Sequence, residues 1–163
     1  MSITWIEPVT DRDAADVAAA SVAIAAWQLE DNPVITDLKG CLNASDLNRI
    51  GNDLKWLVEN SYTYGNYAFD YDVKDTWSND DLLTTTAVAE LITNETNLLT
   101  TMLPNTFTTA DFPSNIDVYD KVNLLEQNLC ISNKYIVDSK RSQHYVGATI
   151  VGEMEVLYYG NLV

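Results

Sequence analysis

The stretch 39–65, KGCLNASDLNRIGNDLKWLVENSYTYG, constrains the fold more than any other part of the chain. Leu47, Ile50, Leu54, Leu57 and Val58 recur at the spacing of one helical face. Asn48, Arg49, Asn52, Asp53 and Lys55 fall largely on the opposite side, which reads as solvated. Asn43 or Ser45 can cap the first turn, since either side chain accepts from backbone N–H groups that lack intrahelical partners. Asp46 then sets a negative charge where the helix dipole favours it. The segment predicts a core helix at about 45–60, around which the remaining elements must pack.

Before it, residues 1–10 carry Ile3, Trp5, Ile6 and Val9 as an apolar arm. Thr10 or Asp11 can cap an Ala-rich helix over 13–30, with Val17, Ala20, Ile24 and Trp27 on one face. Its small side chains allow close approach, so it is expected to be central and well packed. Asn32-Pro33 ends it, and a connector containing Gly40 follows. Residues 61–77, with four tyrosines, a phenylalanine and Trp77, read as a loop folded over the core by its rings; an aromatic contact surface is the functional alternative. A third helix starts at 78–81 or 84–86 and ends by Pro104, carrying Val88, Leu91, Ile92, Leu98, Leu99 and Met102. Phe107 and Phe112 can anchor the next loop. A fourth helix, capped by Asn115 or Asp117, runs to about 134, with Val118, Tyr119, Val122, Leu125, Leu129 and Tyr135 facing one way. The tail YVGATIVGEMEVLYYG changes to β-branched and aromatic residues broken by glycines, the pattern of a hairpin. The expected fold class is therefore mainly α: a bundle of about four helices with a small C-terminal β-hairpin. The expected divisions are an N-terminal arm at 1–10, a helical domain at 11–135 and a hairpin or assembly arm at 136–163.

Charge narrows the function. Twenty-four acidic against nine basic side chains give a net charge of −15, and the basic residues are scattered. That distribution argues against direct contact with nucleic acid, which requires clustered Lys or Arg, and against anionic membranes. No run of eighteen apolar residues suggests a membrane span, and the first residues lack the pattern of a secretory signal. Cys41 and Cys130 are the only cysteines and read as reduced thiols, with a bridge between them left open. His144 stands alone, without the companions a zinc site needs. In the acidic run Asp70, Asp72, Asp75, Asp80 and Asp81, Asp70 and Asp72 begin the alternation of a calcium loop, but Lys74 and Asp75 break it, so a solvated acidic loop is expected, with a weak structural cation site as the alternative. Neither a nucleophile elbow nor a phosphate-binding glycine loop is present, and the reading is of a non-enzymatic protein without catalytic residues, metal or cofactor.

Lys39, Gly40, Asn43, Asp46, Leu47, Asn48, Arg49 and Ile50 form a Lys-Gly-x-x-Asn-x-x-Asp-Leu-Asn-Arg-Ile start. It resembles a segment of virion structural proteins from tailed bacteriophages and prophages of Gram-positive bacteria. Trp77 followed by Asp81, the opening Trp5-Ile6 with Pro8 and Thr10-Asp11-Arg12, and Tyr158-Tyr159-Gly160 are similar too. Thr84-Thr85-Thr86-Ala87 departs from the family pattern by blurring an acidic position in the second helix. The resemblance implies a structural tail, baseplate or other virion subunit, made in the host bacterial cytoplasm and located in the virion. Its expected partners are other virion proteins and copies of itself, with no direct nucleic acid or membrane contact. Both terminal arms hold more apolar surface than they can bury in themselves, which points to Trp5, Ile6, Val156, Leu157, Tyr158 and Tyr159 as interface residues. The alternative is an acidic regulatory or anti-host binding protein, a DNA mimic, supported by charge alone.

Overall fold

In a computed structural model of the chain, residues 3–31, 34, 36–65 and 73–152 are described, with backbone only at 62–65 and 140–152. They are mainly helical: α1 is Ala14–Trp27, α2 Ala44–Gly65, α3 Thr85–Met102 and α4 Tyr119–Gly152, and no strand occurs among the described residues. The chain divides into two compact units, 1–132 and 133–163. The first contains α1 to α3 and α4 as far as Ser132; the described part of the second is the remainder of α4.

The core of the first unit is the leucine set expected from the periodicity. Ile50, Leu54 and Leu57 of α2 are buried with Leu98 and Leu99 of α3 and Leu125 and Leu129 of α4. Burying side chains of this size contributes about 1.5–3 kcal/mol each. Thr84 caps α3 by accepting from the Ala87 N–H at 3.1 Å. The other expected start, 78–81, forms a turn closed by Asp81 N–H to the Ser78 carbonyl. Phe107 and Phe112 anchor the loop after α3 with ring centroids 5.8 Å apart.

Two glycines are places where backbones meet. A Cβ on Gly40 would lie 2.1 Å from the Asp16 carbonyl oxygen, so the connector can press against the first turn of α1 only without a side chain. A Cβ on Gly51 would lie 2.8 Å from the Lys74 carbonyl oxygen. Here the returning segment lies against the middle of α2, where Asn48 clamps it by donating to the Trp77 carbonyl and accepting from the Trp77 N–H. Val73 is buried and Lys74 sits 4.1 Å over the Trp77 ring. The rest of the aromatic segment, 66–72, lies outside the described residues.

Several expectations change. Asp13, not Thr10 or Asp11, caps α1: its carboxylate accepts from the Ala15 and Asp16 N–H groups, and Asp16 reciprocates on the Asp13 N–H. α1 is not central. Ala20 is its one buried residue, because an Ala-rich helix has little side-chain area to offer the core and the leucines of α2 to α4 already fill it. Val118 and Tyr135 are exposed rather than part of the α4 core stripe. α4 also overruns the expected end near 134 and runs to Gly152. No proline follows Pro113, and a single glycine costs only about 1 kcal/mol in a helix already propagating. Residues 153–163, with the remainder of the expected hairpin, lie outside the described residues.

Candidate interaction site

The polar side of α2 is partly covered: Asp53 is buried, and Asn48, Arg49, Asn52 and Lys55 are half-buried. Residues 4–12 lie across it as a strap that runs antiparallel to the helix. Its register is set by Asp46, Asp53 and Trp56, seven and three residues apart on one helical stripe. Arg12 Nη2 meets Asp46 Oδ1 at 2.8 Å, the Ile6 N–H donates to Asp53 Oδ1 at 2.9 Å, and Asn52 donates to the Thr4 carbonyl at 2.8 Å. Trp5 packs edge-on to Trp56 with centroids 5.3 Å apart. The ten-residue span from Asp46 to Trp56 is about 15 Å of helix, within easy reach of the strap.

α4 closes the other side. Glu126 accepts the Val9 N–H, pairs with Arg12 Nη1 at 2.9 Å and takes both Nε and Nη2 of Arg49, at 3.0 and 2.8 Å. Asn123 exchanges two hydrogen bonds with the backbone of Arg12. Arg49 also reaches Asp46 at 2.6 Å. Two guanidiniums thus meet two carboxylates, with the charges shared across three chain segments that are distant in sequence. Burial alone would raise the Asp46 carboxyl, but the Asn43 N–H and the two guanidiniums outweigh it and hold it below the ordinary value.

Two buried acids have no such partner. Asp53 is buried with Oδ2 unbonded, and desolvation pushes its carboxyl up to about 7 despite the Ile6 N–H and Asn52. Glu95 of α3 is fully buried, and neither of its oxygens has a hydrogen-bond partner among the described residues. Desolvation, then the nearby Glu126 charge, drives its carboxyl well above the usual range. Cys130 borders the same region; burial, with Glu7, Glu126 and Asp53, pushes its thiol up to about 11. Sequence reasoning placed Asp53 on the wet face and passed over Glu95. The available signal for Glu95 was its place in the apolar stripe, three and four residues from Ile92, Leu91, Leu98 and Leu99.

Where the expected acidic loop is described, Asp75 and Asp81 are each held by a lysine. Asp75 holds Lys55 at 2.6 Å, and Asp81 holds Lys74 at 3.1 Å and the Ser78 N–H. Among the described residues no group of three or more His, Cys, Asp or Glu is placed to hold a metal ion. Cys41 and Cys130 are free thiols. Of the expected interface residues, Trp5 is half-buried on the strap and Ile6 is 47% exposed beside it. Val156, Leu157, Tyr158 and Tyr159 lie outside the described residues.

The apolar surface that sequence reasoning missed is on α1. Val17, Ala20, Ala23 and Trp27 turn inward as a narrow seam. On the outer side Ala15, Ala18, Ala25 and Ala26 are exposed, with Val22 at 72% and Leu29, just past the helix, at 89%. An all-round apolar helix is ordinarily buried, and this one is not. α1 is held by its inner seam, by Gly40, and by Lys39 reaching both Asp11 and Asp16 at 3.1 Å. No helix among the described residues is long and apolar enough to cross a membrane. Comparisons with protein-family models, curated proteins and solved structures return no match to this chain.

Proposed function

We propose that the chain is a non-enzymatic structural subunit that works by protein–protein contact, in the tail, baseplate or another part of a bacteriophage particle. The observation that carries the contact role is the outer face of α1, where Val22 stands in solvent, together with Leu29 just past the helix end. Exposed apolar surface of this kind marks interaction sites. The particle assignment rests on the resemblance of the 39–50 segment and on Trp5-Ile6, Trp77 and Tyr158-Tyr159. Other virion proteins and further copies of the chain are the partners it implies, with the virion as its location.

The DNA-mimic alternative is weaker in one respect. A mimic must display its carboxylates, yet Asp46, Asp53, Glu95 and Glu126 are buried. Native mass spectrometry of purified particles is the test. The chain should appear as a stoichiometric component; particles that assemble without it would sink the proposal.

A further inference from the structure

Residues 4–12 are fastened to the helices in two chemically different ways. From Pro8 to Arg12 the strap sits in a balanced charge cluster. Arg12 and Arg49 meet Asp46 and Glu126, Glu126 also accepts the Val9 N–H, and Asn123 exchanges two hydrogen bonds with the Arg12 backbone. Pro8 and Arg12 are buried. From Thr4 to Ile6 the hold is lighter. Asn52 donates to the Thr4 carbonyl, the Ile6 N–H donates to Asp53 Oδ1, and Trp5 meets Trp56 edge-on. Thr4, Ile6 and Glu7 are exposed and Trp5 is half-buried, so this half gives up little buried apolar surface when it leaves.

Asp53 is the weak point under that lighter half. It is fully buried, and its Oδ2 has no hydrogen-bond partner among the described residues. The charged and titratable groups around it come from every packed element: Glu7 and Arg12 on the strap, Asp46 and Arg49 on α2, Glu95 on α3, and Glu126 and Cys130 on α4. Both guanidiniums are already engaged by Asp46 and Glu126, so an ionised Asp53 has no cation of its own and is repelled by Glu126. Burial pushes the Cys130 thiol to about 11 and drives the Glu95 carboxyl well up, and neither group adds a positive charge. The Ile6 N–H and Asn52 favour the ionised form of Asp53, but burial disfavours it more.

The geometry points to a proton-held latch: residues 4–6 lift from α2 when Asp53 loses its proton, while residues 8–12 stay clamped between α2 and α4. Lifting readmits water to Asp53, so the open form accommodates the charge that the closed form penalises, and opening grows as pH rises. The clamped half does not respond in this way, because its two cations and two anions are matched. Pro8, buried and fixed in φ, marks the boundary between the halves. Opening uncovers Trp56 and frees Trp5 and Ile6, so the apolar end of the strap becomes available under proton control. This inference stands apart from the contact role of α1 and from the virion reading.

Amide hydrogen exchange followed by NMR on the full chain, with rates corrected for their intrinsic pH dependence, reads local opening residue by residue. One titrating group changes an opening constant about tenfold per pH unit between its open and closed values, so the Ile6 protection factor should fall about a hundredfold from pH 5 to 7. Val9 and Arg12 should be better protected than Ile6 at pH 7 and should fall far less over the same interval. Asp53→Asn, which cannot ionise, should make the Ile6 profile flat. A flat Ile6 profile in the wild-type chain overturns the inference, and that measurement decides the matter even if the variant fails to fold. Equal protection of Ile6, Val9 and Arg12 at every pH overturns it too, since the strap or the whole unit would then open as one piece. A fall at Ile6 that persists in Asp53→Asn would place the titrating group elsewhere and overturn it as well.

Discussion

Replacing Asp53 with asparagine tests the claim that the core contains more carboxylates than it has charges to match them. The folded protein holds a proton on Asp53 up to about pH 7, whereas an ordinary aspartate releases it near 3.8. Between those values the folded state binds more protons than the unfolded chain. Stability from this group is therefore complete below about pH 4, falls as pH rises, and is fully lost above about pH 7. Each pH unit in the window corresponds to 1.36 kcal/mol, so the interval from pH 5 to 7 alone amounts to about 3 kcal/mol. The amide introduced by Asp53→Asn cannot ionise, and its carbonyl oxygen can still accept the Ile6 N–H. The surrounding charges, Arg49 and Glu126 among them, are unchanged. Urea unfolding followed by circular dichroism at pH 5.0 and 8.5 reads the difference. Whatever their difference at pH 5.0, Asp53→Asn should gain about 2–3 kcal/mol on the wild type between pH 5.0 and pH 8.5. The comparison avoids pH 4, close to the isoelectric point near 4.1. Parallel pH profiles for the two proteins would refute the reasoning, as would an equal loss of stability in the variant at both pH values.

Three further perturbations separate the roles of the buried groups. Arg12→Ala leaves Asp46 and Glu126 short of a cation in a dry site and should cost about 3–5 kcal/mol in urea unfolding; a loss below about 1 kcal/mol would mean that water replaces the guanidinium. Leu54→Ala at a fully buried position should cost about 2–5 kcal/mol, and an unchanged midpoint would misplace the core face of α2. Cys130, with its thiol near 11, should react with a thiol reagent at pH 8 on the order of a hundredfold more slowly than an ordinary cysteine, measured in a Cys41→Ser background. A rate like that of a model thiol would show that the region between Glu126 and Asp53 is wet.

Apolar periodicity made much of the helical core legible. Leu47, Ile50, Leu54 and Leu57, then Leu91, Ile92, Leu98, Leu99 and Met102, then Val122, Leu125 and Leu129, are local repeats, and each becomes the buried side of its helix. Pro104 and the Phe107–Phe112 anchor were readable for the same reason: their effect is decided within a few residues. The polar positions were not readable this way. Whether Asp53 faces water depends on residues 4–12 crossing α2, and whether Glu126 finds two guanidiniums depends on α4 lying next to Arg12 and Arg49. Those neighbours are separated by 47, 114 and 77 positions in the chain, so no window on the sequence contains the pair. α1 shows the converse. Its composition determines that it is a helix and apolar on every side, but which side meets the protein depends on where Gly40 and Lys39 hold it. The sequence alone specifies the helices and the faces that avoid water. Which carboxylates lose their water, and which apolar seam stays exposed, follows only from bringing distant segments together.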